Sequence, residues 1–385
     1  MNNINDRNAR SAPRPSAAAL AASPKKISMR QVMILFFFAS VSGMTRVAAP
    51  GAGQFVGRAG WLAPFAALVP VLLLVYALNK IIERHKERAL CEIIELVFGK
   101  VAGKIILALF LAHTLFLTAV FLHNFGEKFI LTVLPDVAPQ FFTVSLLLFA
   151  VTAARRSIAA FARFAEVAFI ITAGGLIILF VLAVFRVDPL NLYPVAYYDL
   201  ASAAWSSLPL ASLWSLVTFS LFLGGTVKHK AAQDGGHDKT AQTMTKFMLI
   251  IALFNFLSSI LIIGIFSAET AAGMSMPYLM VFRSIGIIRG FDTFFMLLWA
   301  LTDFIMIAYL LFVMSSIFKT LCAVEKPRLY MFTLGFIILI LSWLIGDNML
   351  EVDYFYANIL SWGSVVLGFA FPFILLAAGK LRKLI

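Results

Sequence analysis

Few side chains in this 385-residue sequence can do chemistry, and those few stand inside apolar runs. Arg46 lies in SVSGMTRVAAPGAG (Ser40–Gly53) and Asp303 in WALTDFIMIAY. Glu166 follows Arg163 in FARFAEV, and His113 and His123 sit ten residues apart. An arginine and a carboxylate can pair with each other or capture an opposite charge, with planar bidentate geometry available. Asp303 alone would suit a cation or a proton. Glu166 fits either a helix-surface pair with Arg163 or a carboxylate on an inward pathway. Ten residues is nearly three helical turns, so the two histidines can share a face but cannot hold one metal. Backbone groups add a second resource. Gly43, Pro50, Gly51 and Gly53 make a long helix easy to break, and Pro209 in WSSLPLASLWSLVTFSLFLGG frees a carbonyl beside the small residues Ala211 and Ser212. Transporters hold solutes on such freed groups near mid-membrane. The plainer alternatives are close helix packing at Gly43, a helix end at Pro50 and an ordinary kink at Pro209. No GxxxxGK[ST], HExxH or GxSxG motif is present. Two cysteines, Cys91 and Cys322, exclude a disulfide scaffold and a four-ligand zinc site. The chemistry on offer is binding rather than bond-making, so the chain reads as no enzyme, with no cofactor and no metal.

The elements that must position these residues are membrane spans. Hydrophobic residues make up 62% of the chain and charged residues 13%, where soluble domains run near 45–50% and about 25%. That excludes a water-soluble enzyme. Ten apolar runs fall near 31–57, 60–79, 104–131, 138–154, 158–185, 204–225, 246–267, 291–318, 329–345 and 356–379. Of the 31 Lys and Arg residues, 25 fall in the N-terminal tail, after the even-numbered spans and at the C-terminus. The alternate side holds Arg58, Lys128, Arg186, Arg283 and Arg289, and Arg46 lies inside span one. The net charge of +12 is therefore a topology signal that places both termini in the cytoplasm, not a nucleic-acid footprint. On this map Arg46 is roughly 22 Å and Asp303 roughly 24 Å from the inner end of their spans at 1.5 Å per residue. Matching depth makes them a candidate buried pair, since a lone charge there is expensive. Residues 1–26 read as a flexible basic tail and 27–385 as one membrane domain. Leu90, Ile93, Ile94 and Val97 recur at helical spacing in ERALCEIIELVFGKVAGK, which predicts an amphipathic helix at the cytoplasmic interface. The semi-apolar segments 186–203 and 268–290 are expected to cover the outer mouth.

The order and spacing of ISMRQ (Ile27–Gln31), FGKVAGK (Phe98–Lys104), NFGEKFI…LP (Asn124–Pro135) and ARFAEV (Ala162–Val167) within a ten-span layout resemble the spore germination receptor B subunit family. This is the spore permease branch of the amino acid–polyamine–organocation superfamily. The resemblance implies an all-α integral membrane fold, a five-plus-five inverted repeat with broken helices one and six. It implies a ligand carboxylate on Ser42, Gly43, Met44 and Thr45 of span one, with the ligand amino group on Pro209, Ala211 and Ser212 of span six. Where sodium-driven relatives place an ion, this chain offers Arg46, Glu166 and Asp303, and an arginine there argues against sodium coupling. Relatives carry an acid after the sixth-helix proline where this chain has Ser212, so that acid's role is lost. The implied function is a germinant-sensing subunit in the spore inner membrane, binding a nutrient such as an amino acid. Its partners would be an A-type membrane subunit and a C-type lipoprotein. The alternative is a secondary amino acid transporter of the same fold.

Overall fold

A computed structural model describes residues 26–47, 57–86, 88–132, 136–193, 195, 197, 199–228, 239–274, 276–286, 291–346 and 349–384. Of the predicted flexible tail, residues 1–26, all but Lys26 lies outside them. Among the described residues the chain is helical, and its one β feature is a single parallel bridge between Ile27 and Val227.

Helix α1 is Met29–Val47, α2 Ala63–Arg84, α3 Leu90–Phe98, α4 Lys100–Thr132, α5 Pro139–Ala154 and α6 Ile158–Val184. The second half holds α7 Asp199–Ser215, α8 Thr240–Phe266, the short α9 Ala268–Ala272 and α10 Pro277–Ile285, α11 Phe291–Leu321, α12 Met331–Leu344 and a final α13, Leu350–Leu381. Eight described helices are long and apolar enough to cross a bilayer, and two shorter apolar ones, Met29–Met44 and Pro139–Ala154, complete the ten read from the sequence. The chain is a multi-pass membrane protein.

Helix α1 lies at the centre of the bundle, packed against α6, α7, α8 and α11. Its start is set locally. The Ser28 hydroxyl accepts from the Gln31 N–H at 3.2 Å, and the Gln31 side chain accepts from the Ser28 N–H at 2.9 Å. That reciprocal capping box satisfies two of the donors a helix start leaves open. It is what the ISMRQ segment encodes. Just before it, the Ile27 N–H donates to Thr226 and the Ile27 carbonyl accepts from Lys228, both at 2.8 Å. The foot of α1 is thereby stitched to the end of span six.

Two spans depart from regular winding. After Ser215, α7 continues as a 3₁₀ segment, Leu216–Thr226, so the sixth span changes pitch six residues beyond Pro209. The final span contains two π turns, Tyr356–Leu360 and Val365–Ala370, which the sequence did not signal. By contrast, the backbone at Ser42–Thr45 is α-helical. What this part of α1 offers the interior is side chain, not freed N–H groups. The stretch 48–56 that follows lies outside the described residues.

The amphipathic helix forms as α3, and Leu90, Ile93, Ile94 and Val97 are all buried. They pack on α4, α11 and the end of α13, so the apolar face seats on protein. Gly99, at φ 85°, makes the turn from α3 into α4, a left-handed conformation that glycine adopts without penalty. The segment expected to cover one mouth folds as α9 and α10, with α10 against α6, α8 and α11.

Candidate functional site

Asp303 is 1% exposed at the middle of α11. The Ser42 hydroxyl of α1 donates to its Oδ1. The Lys128 ammonium of α4 lies 3.4 Å from its Oδ2, with side-chain exposures of 5% and 1%. Three spans thus converge on one carboxylate. Lys128 sits near the far end of α4, but helical side chains lean toward the N-terminus, and its long stem carries the charge back into the bundle. Its ammonium also lies 5.3 Å from the centre of the Trp299 ring. A charge this deep persists only when paired, and the cluster supplies an ion pair, a hydroxyl and an aromatic face. Trp299 begins the turn of α11 that carries Asp303. A small cleft opens beside them under α10, lined by Lys128, Tyr278, Leu279, Phe295, Met296 and Trp299 among others.

The sequence-predicted residues divide around this centre. Ser42 and Asp303 meet. The side chains of Thr45 and Arg46 lie outside the described residues, and with them the expected Arg46–Asp303 pair. Gly43 faces span six so closely that a Cβ would run into the Leu213 side chain, and Met44 is buried in the core. Pro209 and Ala211 lie half-buried on α7. The Ser212 hydroxyl is already engaged, donating to the Ser361 carbonyl at 2.8 Å. Glu166 lies apart from this centre. Its carboxylate accepts from Gln31 Nε2 at 3.0 Å, and the expected surface pair with Arg163 is not among the ion pairs of the described residues. It ties α6 to the foot of α1. His113 meets the Ser364 hydroxyl at 3.1 Å, and His123 donates to the Ser342 carbonyl at 2.8 Å. Each histidine therefore bridges α4 to a different helix.

Sequence reasoning missed Lys128. Its apolar run placed it inside span three, while the charge count placed it on the outer side. The conflict between the two readings was itself the signal.

A family model described as spore germination protein matches residues 26–349. The chain belongs to the spore germination protein family. No curated protein sequence matches this germination protein. Among solved structures it is similar to a Na+-coupled sialic acid symporter in a substrate-bound outward-open state. The TM-score is 0.63 at 12% identity, covering 93% of this chain and 82% of that one. That likeness shows the fold alone: the germination protein has the architecture of that symporter.

Proposed function

We propose that this chain is the B-type membrane subunit of a spore germinant receptor, and that it senses an amino acid at the Lys128–Asp303–Ser42 centre. The observation that carries the reading is that centre. A carboxylate, an ammonium and a hydroxyl from α11, α4 and α1 meet in the buried interior, and Lys128 also lines a cleft, in a protein of the spore germination family. Binding there would bias the packing of three spans at once, which is how a ligand shifts a conformational equilibrium. In this reading both termini lie in the cytoplasm, the basic end holding Ile27, His85–Arg88 and Lys228 faces inward, and the membrane is the spore inner membrane. An A-type membrane subunit and a C-type lipoprotein would complete the receptor.

The symporter-like fold favours a second reading, secondary transport of amino acids. Two measurements separate them. Spores carrying Asp303→Asn should lose their germination response to amino acids while the protein stays in the membrane. A normal dose–response would remove the site. Proteoliposomes of the purified chain should show no saturable uptake of labelled amino acids; uptake would make the chain a carrier.

A further inference from the structure

A second cleft lies at the foot of α1, where the turn from α2 to α3 meets the end of span six and the start of α8. His85, Lys86 and Arg88 give it a basic rim, and Met29, Ile82, Ile93, Leu221 and Met244 give it apolar walls. At 1.5 Å per residue, Met29 stands roughly 20 Å along α1 from Ser42, so this cleft is separate from the Lys128–Asp303–Ser42 centre.

Its charge is one-sided. Arg84 stands on the same turn, and none of Arg84, Lys86 and Arg88 belongs to an ion pair among the described residues. The carboxylate of Glu83 is engaged elsewhere, by Lys80 at 3.3 Å and by Asn79 at 2.8 Å. The residues that α1, α3, span six and α8 bring to the cleft are all uncharged. His85 is half-buried, and its Nε2 is a buried atom with no hydrogen-bond partner among the described residues. Burial, and then the charges of Arg88 and Arg84, hold the His85 pKa below its ordinary value. The rim is also held in place. A Cβ at Gly224 would lie 2.7 Å from the Arg88 carbonyl oxygen, so the basic turn is seated directly on the backbone of span six.

We infer that this cleft binds an oxyanion of the phosphate class through Lys86, Arg88 and the Nε2 of His85. Its oxygens accept from an ammonium, a guanidinium and an imidazole N–H alike. The apolar walls strengthen each of those attractions by lowering the local dielectric. The buried imidazole nitrogen gains the partner that such an atom requires. Inorganic phosphate and the headgroup of an anionic phospholipid present the same chemistry at the end of a membrane span. The site goes beyond the amino acid reading and does not depend on it.

The test uses the purified full-length chain in phosphatidylcholine nanodiscs, read by thermal melting. Sulfate and phosphate are titrated against chloride at equal ionic strength, and a parallel set of nanodiscs carries phosphatidic acid. A ligand bound where four elements meet should raise the melting temperature saturably. A rise with the soluble anions identifies a free oxyanion, and a rise only with phosphatidic acid identifies a headgroup; either supports the site. Lys86→Gln and Arg88→Gln, both at exposed positions, should weaken binding at least about tenfold. Lys326→Gln removes the same charge from the turn between α11 and α12 and should leave binding unchanged. Where sulfate binds, an anion draws a proton onto His85, so binding should be tighter at about pH 6 than at about pH 8. Sulfate itself does not titrate there, and His85→Gln should lose the dependence. No saturable rise in either set of nanodiscs overturns the site. So does an equal loss in Lys326→Gln, which would show a diffuse field, or a pH dependence that survives His85→Gln.

Discussion

Asp303 joins three spans of this protein through its two carboxylate oxygens. Ser42 and Lys128 both converge on it, so neither partner of the ion pair can be removed without leaving a charge in a water-poor interior. Lys128→Met and Asp303→Leu should each destabilise the protein by about 3–5 kcal/mol. The double variant should lose less than their sum, because the two charges of the pair are removed together. A double-mutant cycle from detergent melts would measure that coupling; strictly additive losses would show that the pair contributes no stability. Gly43 makes the complementary point. Its lack of a side chain lets α1 and span six touch at Leu213, so its place in the motif reflects packing as well as any ligand.

At the scale of elements, the contact between span six and α13 depends on hydroxyl groups meeting displaced carbonyls. Ser212, Ser215 and Thr218 donate to the carbonyls of Ser361, Ser364 and Gly368 at 2.8, 2.9 and 2.6 Å. A π turn disturbs the regular i→i−4 ladder and leaves carbonyls that need other donors, and the three hydroxyls supply them. Gly368 allows the approach: an added Cβ would lie 2.8 Å from the Ser215 carbonyl oxygen, a backbone atom that cannot swing aside. Gly368→Ala should therefore lower the melting temperature. Gly174→Ala, where nothing lies within 4 Å, should be neutral or stabilising, since alanine is the better helix former. Equal effects would mean that the ladder is not under close packing constraint. The ten spans were legible in the sequence because about 20 apolar residues between charge clusters is a one-dimensional signal. The capping box at Ser28 and Gln31 was quoted as a motif without its mechanism. The π turns were not legible, because what holds them lies on another helix, about 150 residues away in sequence. Lys128 was misread for a similar reason: a charge count assigns a residue to a side by its position along the chain, while a long side chain can reach back into the bundle.

Across the whole molecule, two thiols report on packing and sidedness. Cys91 is buried on α3, bonds the Ser316 carbonyl at 3.6 Å, and burial pushes its pKa up to about 12. Cys322 is exposed just past α11. The reactive species is the thiolate, so a maleimide at neutral pH should label Cys322 and spare Cys91. A membrane-impermeant maleimide should reach Cys322 in inverted vesicles and not in intact cells. Labelling from outside would reverse the proposed topology, and brisk reaction at Cys91 would show that α3 does not stay seated.

The stitch between Ile27 and Val227 also bears on biosynthesis. The foot of α1 has its partner two hundred residues downstream, and Ser42 has its partner 261 residues downstream. The first of the described helices to be made is therefore among the last to be fully seated. Until Asp303 emerges, α1 must wait in the lipid or in the insertion machinery with Ser42 unsatisfied by its eventual carboxylate. Contacts this distant in sequence are slow to close. A nascent chain arrested before residue 227 has at most the Glu166–Gln31 tie for α1, and one arrested between 227 and 303 adds the bridge to Val227 but still lacks the carboxylate. Quality control during translation thus has a defined window in which an unseated α1 marks an unfinished protein.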